Sequence, residues 1–116
     1  MTLQPAIDAE TVAALRELNP EDPNFLRELI DLFLQDLPAR IVELDQALAR
    51  QDASLLHRAA HTIKGSSGNF GAAGLVDVAA AMEHQGRASA FADAAATLPA
   101  LKAEFARVTE ALKAFR

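Results

Sequence analysis

His61, Lys64 and Gly65 are the residues of this chain whose types and spacing suit chemistry, and the chemistry they suit is the carrying of an anionic group on an imidazole ring. They lie in the run His57-Arg58-Ala59-Ala60-His61-Thr62-Ile63-Lys64-Gly65-Ser66-Ser67-Gly68-Asn69-Phe70-Gly71. Wound on a helix at about 100° per residue, Leu56, Ala59, Ile63 and Phe70 gather on one side, with Ser66 and Ser67 at its flanks. His57, Arg58, His61, Lys64, Gly65 and Gly68 gather on the opposite side, with His61 near its centre. His61 is therefore expected to face water, where an uncharged imidazole is a competent nucleophile near neutral pH. Lys64 lies on the neighbouring row of the same face and offers a compact charge with up to three donors to an anion held there.

The two glycines on this face need a reason, because each costs up to about 1 kcal/mol relative to alanine inside a helix. Gly65 sits one turn beyond His61, where any side chain would crowd the ring. Its absence leaves a flat clearing, as if a large object approaches His61 closely. Other residues of the run have plainer readings. Ser66 and Ser67 are expected to let helices approach, each hydroxyl bonding back to a carbonyl one turn earlier. Asn69 reads as a helix-end residue. His57 and His61 are spaced as in a zinc helix, but Arg58 stands where a catalytic zinc helix has glutamate, and the chain has no cysteine. No metal is expected. No P-loop pattern is present, so ATP is not bound in that way.

The elements that must hold this face can be read from punctuation and periodicity. Asp8 is expected to cap a short helix over about 8–19 that carries Val12, Leu15 and Leu18 and ends at Asn19-Pro20. Asp22-Pro23 reads as an N-cap followed by proline at the first helical position. Behind it Leu26, Leu29, Phe33, Leu37, Ile41, Leu44 and Leu48 recur every three or four residues, the stripe of one long amphipathic helix. Pro38 is expected to kink that helix or, failing that, to divide it. Asp52 caps a helix running to about Phe70, with Gly71 as terminator. A shorter helix carries Leu75, Val78, Ala79 and Met82 and stops near Gly86. The last holds Leu101, Phe105, Val108, Leu112 and Phe115, with Pro99 in its first turn and 91–98 as an unassigned lead-in. The expected fold is all-α: an up-and-down four-helix bundle over about 22–115 with a short additional N-terminal helix, the whole of 1–116 forming one domain.

Bulk properties narrow the function classes. The formal net charge is −5 and no basic stripe appears, which disfavours nucleic acid and anionic membranes as partners. No run approaches the roughly 18 apolar residues that span a bilayer, and residues 1–10 do not read as a signal peptide. A cytoplasmic location and a monomeric state are expected.

The run from His61 to Gly71 resembles the signature of the histidine phosphotransfer (HPt) domain family, in which His, two variable residues and Lys-Gly-Ser precede a small-residue stretch and Gly. The surroundings are similar too: an acidic-aliphatic helix over Phe25 to Arg50, the break at Gln51-Asp52, then Leu55-Leu56-His57-Arg58-Ala59-Ala60, with Leu75 and Met82-Glu83 downstream. The resemblance implies a bundle whose histidine, here His61, accepts a phosphoryl group on Nε2 from a receiver-domain aspartate and passes it to another. It implies that Lys64 supports the group and that Gly65 gives access. Receiver domains of response regulators, or a hybrid histidine kinase, are the implied partners. Intrinsic cofactors are not expected, because the partner brings Mg²⁺ and its acidic groups. His57, Arg58 and Gly68 are expected to meet that partner. Ile30, Leu32 and Leu34 exceed what one stripe of the long helix requires. A mixture is expected: part covered by the short first helix through Val12, Leu15 and Leu18, part left as an apolar docking patch near His61. Some members place a polar side chain of the next helix beside the histidine. The matching position is Glu83, whose carboxylate is expected to repel a phosphorylated ring and so not to take this part; Gln85 is not on the right face either.

The expected role is thus a phosphocarrier in a phosphorelay, free-standing rather than cut from a larger kinase. The competing readings are a non-catalytic helical interaction module and a metal-binding bundle.

Overall fold

Residues 4–116 are described by the structure, a computed structural model. Every regular element among them is helical: α1 (Ala9–Ala14) running into a 3-10 turn (Leu15–Leu18), α2 (Phe25–Arg50), α3 (Ala53–Gly68), α4 (Ala73–Arg87) and α5 (Phe91–Lys113). Helix α2 packs on α3, α3 on α4, α4 on α5, and α5 returns to α2. The links 51–52, 69–72 and 88–90 are too short for anything but antiparallel neighbours. The result is the expected up-and-down four-helix bundle with a short N-terminal helix.

The core follows from the apolar stripes. Leu37 and Leu44 of α2, Leu56 and Ile63 of α3, Leu75 and Met82 of α4, and Leu101 and Leu112 of α5 are fully buried. Each such side chain contributes roughly 1.5–3 kcal/mol of transfer free energy, the main force closing the bundle. Phe33 and Phe70 meet with ring centroids 4.8 Å apart and tie α2 to the end of α3. The N-terminal segment is held at that same end. Ile7 and Val12 are buried, and the Asp8 amide donates to the Phe70 carbonyl at 3.3 Å.

Local chemistry sets most helix ends. Asp8 accepts from the Glu10 amide at 3.2 Å and from the Thr11 hydroxyl at 2.7 Å, and Asp52 accepts from the Leu55 amide at 3.0 Å. Both are the caps expected from sequence. Gly71 closes α3 at φ 63°, and a Cβ there would lie 2.5 Å from that of Asp8. Glycine is required on both counts.

Two boundaries differ from expectation, the starts of α2 and α5. Helix α2 starts at Phe25, not Pro23. Asp22 spends its carboxylate on the Asn24 amide at 2.9 Å, making a turn that precedes the helix. Pro38 does not divide α2, which is the one long helix expected: it runs from Phe25 to Arg50 because the stripe on both sides of the proline is anchored in the core while the ring itself is exposed. Residues 91–98 are helical, so Pro99 lies within α5 rather than in its first turn. Burial of Ala94 and Leu98 continues the seam upstream. Helix α4 ends at Arg87, near Gly86 as expected, and Gly86 itself is buried in its last turn, where a Cβ would come 2.8 Å from the His57 backbone nitrogen. It lets α3 and α4 approach closely beside the reactive face, and the left-handed residue after α4 is instead Ser89.

Candidate functional site

Helices α3 and α4 bring together four side chains. His61 and Lys64 come from successive rows of α3, while Glu83 and Arg87 are one turn apart on α4. The His61 side chain is 63% exposed, as its place on the helical wheel requires. The Glu83 side chain is only 5% exposed. Its Oε1 lies 3.2 Å from His61 Nδ1 and 2.9 Å from Arg87 Nη2, and its Oε2 lies 2.6 Å from Lys64 Nζ. One buried carboxylate thus gathers His61, Lys64 and Arg87.

The electrostatics follow from these contacts. The Lys64 ammonium beside Glu83, aided by His61, holds the carboxyl below its ordinary range, although burial pushes it upward. An ionised carboxylate only accepts hydrogen bonds, so Nδ1 must be the donor and carry the ring proton. The neutral ring then keeps its lone pair on Nε2, the nitrogen turned away from Glu83. An imidazole fixed in this tautomer, exposed and beside an ammonium, is equipped to attack an electrophile through Nε2.

Space around the ring is open. A Cβ built at Gly65 or at Gly68 would meet nothing within 4 Å. Arg58 is exposed, as expected, and lines a polar cleft between α2 and α3 with Arg40, Glu43, His57 and Thr62, next to His61. His57 departs from expectation. It is half-buried, because its backbone is pressed against Gly86, and its Nδ1 is buried without a partner. Its ring stacks near that of His61 with centroids 6.2 Å apart. Among the described residues, no group of three or more His, Asp or Glu side chains is arranged to hold a metal ion. Ser67 is buried, as a residue at a helix contact should be, yet its Oγ finds no acceptor, contrary to the expected bond to its own helix. Thr62 makes such a bond, to the Arg58 carbonyl at 3.1 Å.

The Hpt domain family model matches residues 28–111, which include all four of these side chains. The chain belongs to the Hpt domain family. Among solved structures, this Hpt domain is similar to histidine-containing phosphotransfer protein B of Pseudomonas aeruginosa PAO1, with 31% identity over 96% of this chain and 94% of that one and a TM-score of 0.86. No curated protein sequence matches it.

Two features of the Hpt domain bear on what its sequence suggested. The first is Glu83. Its carboxylate is expected not to take the place beside the histidine, yet it lies against His61 Nδ1, with the positive charge of Lys64 and Arg87 brought to it. The signal was present: Leu75, Ala79, Met82 and Glu83 lie on the buried stripe of α4, and an acid in such a stripe must find cations. Gln85, by contrast, faces α5 and donates to the Thr97 hydroxyl at 3.1 Å. The second is an apolar groove at the α1 end of the bundle, lined by Leu15, Leu18, Phe25, Leu29 and Leu32, with Ser66 and Asn69 at its α3 edge. Leu18 is 71% exposed and Leu32 63% exposed. The N-terminal helix therefore covers only part of the surplus apolar surface of α2: Ile30 is buried, Leu34 partly so, and Leu32 not at all.

Proposed function

We propose that in this histidine phosphotransfer protein the phosphorelay group is carried on Nε2 of His61, accepted from a receiver-domain aspartyl phosphate and delivered to a second receiver aspartate. The Nε2 lone pair attacks phosphorus, the bond from phosphorus to the aspartyl oxygen breaks, and the aspartate leaves as a carboxylate. Such a leaving group needs no proton, which fits a site with no general acid in line with the ring. The ring keeps its hydrogen on Nδ1 and becomes cationic on phosphorylation. Glu83, already accepting from Nδ1, offsets that new charge. Lys64 neutralises phosphoryl oxygens, and the receiver supplies Mg²⁺ with its own acidic groups.

Gly65 and Gly68 leave room for the receiver's active-site loops, and the apolar groove next to them is the docking patch. Arg58 and His57 border the opposite side of the approach. The protein acts as a cytoplasmic monomer that carries phosphate between partners and has no ATP chemistry of its own. No described helix is long and apolar enough to cross a membrane.

The observation that carries this reading is the exposed His61 ring with Nδ1 held by Glu83 and Nε2 free. Incubation with a ³²P-phosphorylated receiver domain tests it. Acid-labile label should move to the wild-type chain and not to His61→Gln. Label on the variant, or none on the wild type with any phosphorylated receiver, would sink the assignment.

A further inference from the structure

Glu83 and a phosphoryl group on His61 compete for the same cation. In the unphosphorylated protein Lys64 Nζ is 2.6 Å from Glu83 Oε2. Lys64 is half-exposed on a flexible stem, so a phosphoryl group on Nε2, carrying close to two negative charges, draws it outward. That movement removes one of the two permanent cations from a nearly sealed carboxylate. A buried carboxylate stripped of its counter-charge takes up a proton or turns away, and either change releases Nδ1.

Arg87 is placed to prevent this. It stands one helical turn after Glu83 on α4, and its Nη2 reaches Oε1, the same oxygen that accepts from His61, at 2.9 Å. Unlike Lys64, it belongs to the same helix as the carboxylate, so the pair does not depend on what α3 does. Its guanidinium stays protonated at any working pH. Its side chain is largely exposed, so packing does not account for its position.

We propose that Arg87 is a positioning residue: it keeps Glu83 ionised and bonded to His61 Nδ1 while Lys64 moves to the phosphoryl group. The two cations divide the work, Lys64 serving the phosphoryl group and Arg87 staying with the carboxylate of its own helix. This inference rests on the phosphorylation of His61 proposed above.

Phosphoramidate, a small chemical phosphodonor, tests it on the full chain without a partner's contacts. Its P–N bond breaks, ammonia leaves, and phosphorus bonds to Nε2. Initial labelling rates are compared for wild type, Arg87→Gln, Arg87→Lys, Glu83→Gln and the double variant Glu83→Gln/Arg87→Gln, with urea unfolding of each as a check on folding. Arg87→Gln should label about tenfold more slowly, the size of one charge-assisted hydrogen bond. Arg87→Lys should recover most of that rate, because it keeps a cation one turn from Glu83. Arg87→Gln should add little once Glu83→Gln has removed the charge it serves. Equal rates for wild type and Arg87→Gln would overturn the inference. So would a loss that Arg87→Lys does not relieve, or one of the same size in the Glu83→Gln background. A wild-type chain that takes no label from phosphoramidate or from a phosphorylated receiver would overturn the underlying reading, and this one with it.

Discussion

Glu83 Oε1 accepts from His61 Nδ1 at 3.2 Å across the α3–α4 interface, and this contact decides which nitrogen of the exposed ring is free. The acid is buried, the ring is not, and the close approach of the helices at Gly86 lets one reach the other. Sequence order hides the pair, which is separated by a helix end, a turn and most of a second helix.

The glycines make opposite predictions. At Gly65 a side chain meets only open space, so Gly65→Gln should fold normally and gain about 0.5–1 kcal/mol from better helix propensity. Transfer from a receiver should nevertheless slow about tenfold or more, because the new side chain occupies the approach to Nε2. Gly71→Ala should instead lose about 2 kcal/mol or more, through its left-handed backbone and the collision with Asp8. Urea unfolding and stopped-flow transfer measure both effects. A stable Gly65→Gln with undiminished transfer would refute the clearing.

The groove is separable from the fold. Leu18 and Leu32 are exposed, so replacing both with serine should change stability by no more than about 0.5 kcal/mol. Titration calorimetry against a cognate receiver should show affinity lower by about tenfold or more, as expected for central apolar contacts. Unchanged affinity would remove the groove from the docking surface.

Glu83 also gives the stability a pH dependence of known sign. Its carboxyl is held below its ordinary 4.5, first by Lys64 and then by His61. The stabilisation it brings is therefore complete above that ordinary value and is lost as pH falls through the lowered folded value. Wild type should exceed Glu83→Gln by about 1–2 kcal/mol near pH 6, the scale of a charged hydrogen bond, and the gap should close towards pH 3. Urea titrations across that range check it; a gap independent of pH would contradict the charge assignment.

Much of this was legible in the sequence because it is local. Helical period, the Asp8 and Asp52 caps and the outward face bearing His61, Gly65 and Gly68 depend on residues within a turn or two of one another. The errors arose where distant packing overrode local signals. Pro99 reads as a first-turn residue, yet the helix starts at Phe91 and its seam is anchored on both sides of the proline by Leu98 and Leu101. Gly86 marks the end of α4 to within a residue, but the contact with His57 that its missing side chain allows lies on another helix and is not legible locally. Glu83 was misjudged in the same way. Its repulsion for a phosphoryl group was weighed without Lys64 and Arg87, whose convergence on one carboxylate exists only after α3 and α4 have packed.

The nitrogen of His61 that bears hydrogen, and the one that takes phosphorus, can be read from long-range ¹H–¹⁵N spectra of the labelled protein before and after phosphorylation. Hydrogen on Nδ1 with Nε2 bare in the first state, and phosphorus coupled to Nε2 with hydrogen retained on Nδ1 in the second, is the predicted result. A ring that carries its hydrogen on Nε2, or that takes phosphorus on Nδ1, would contradict it.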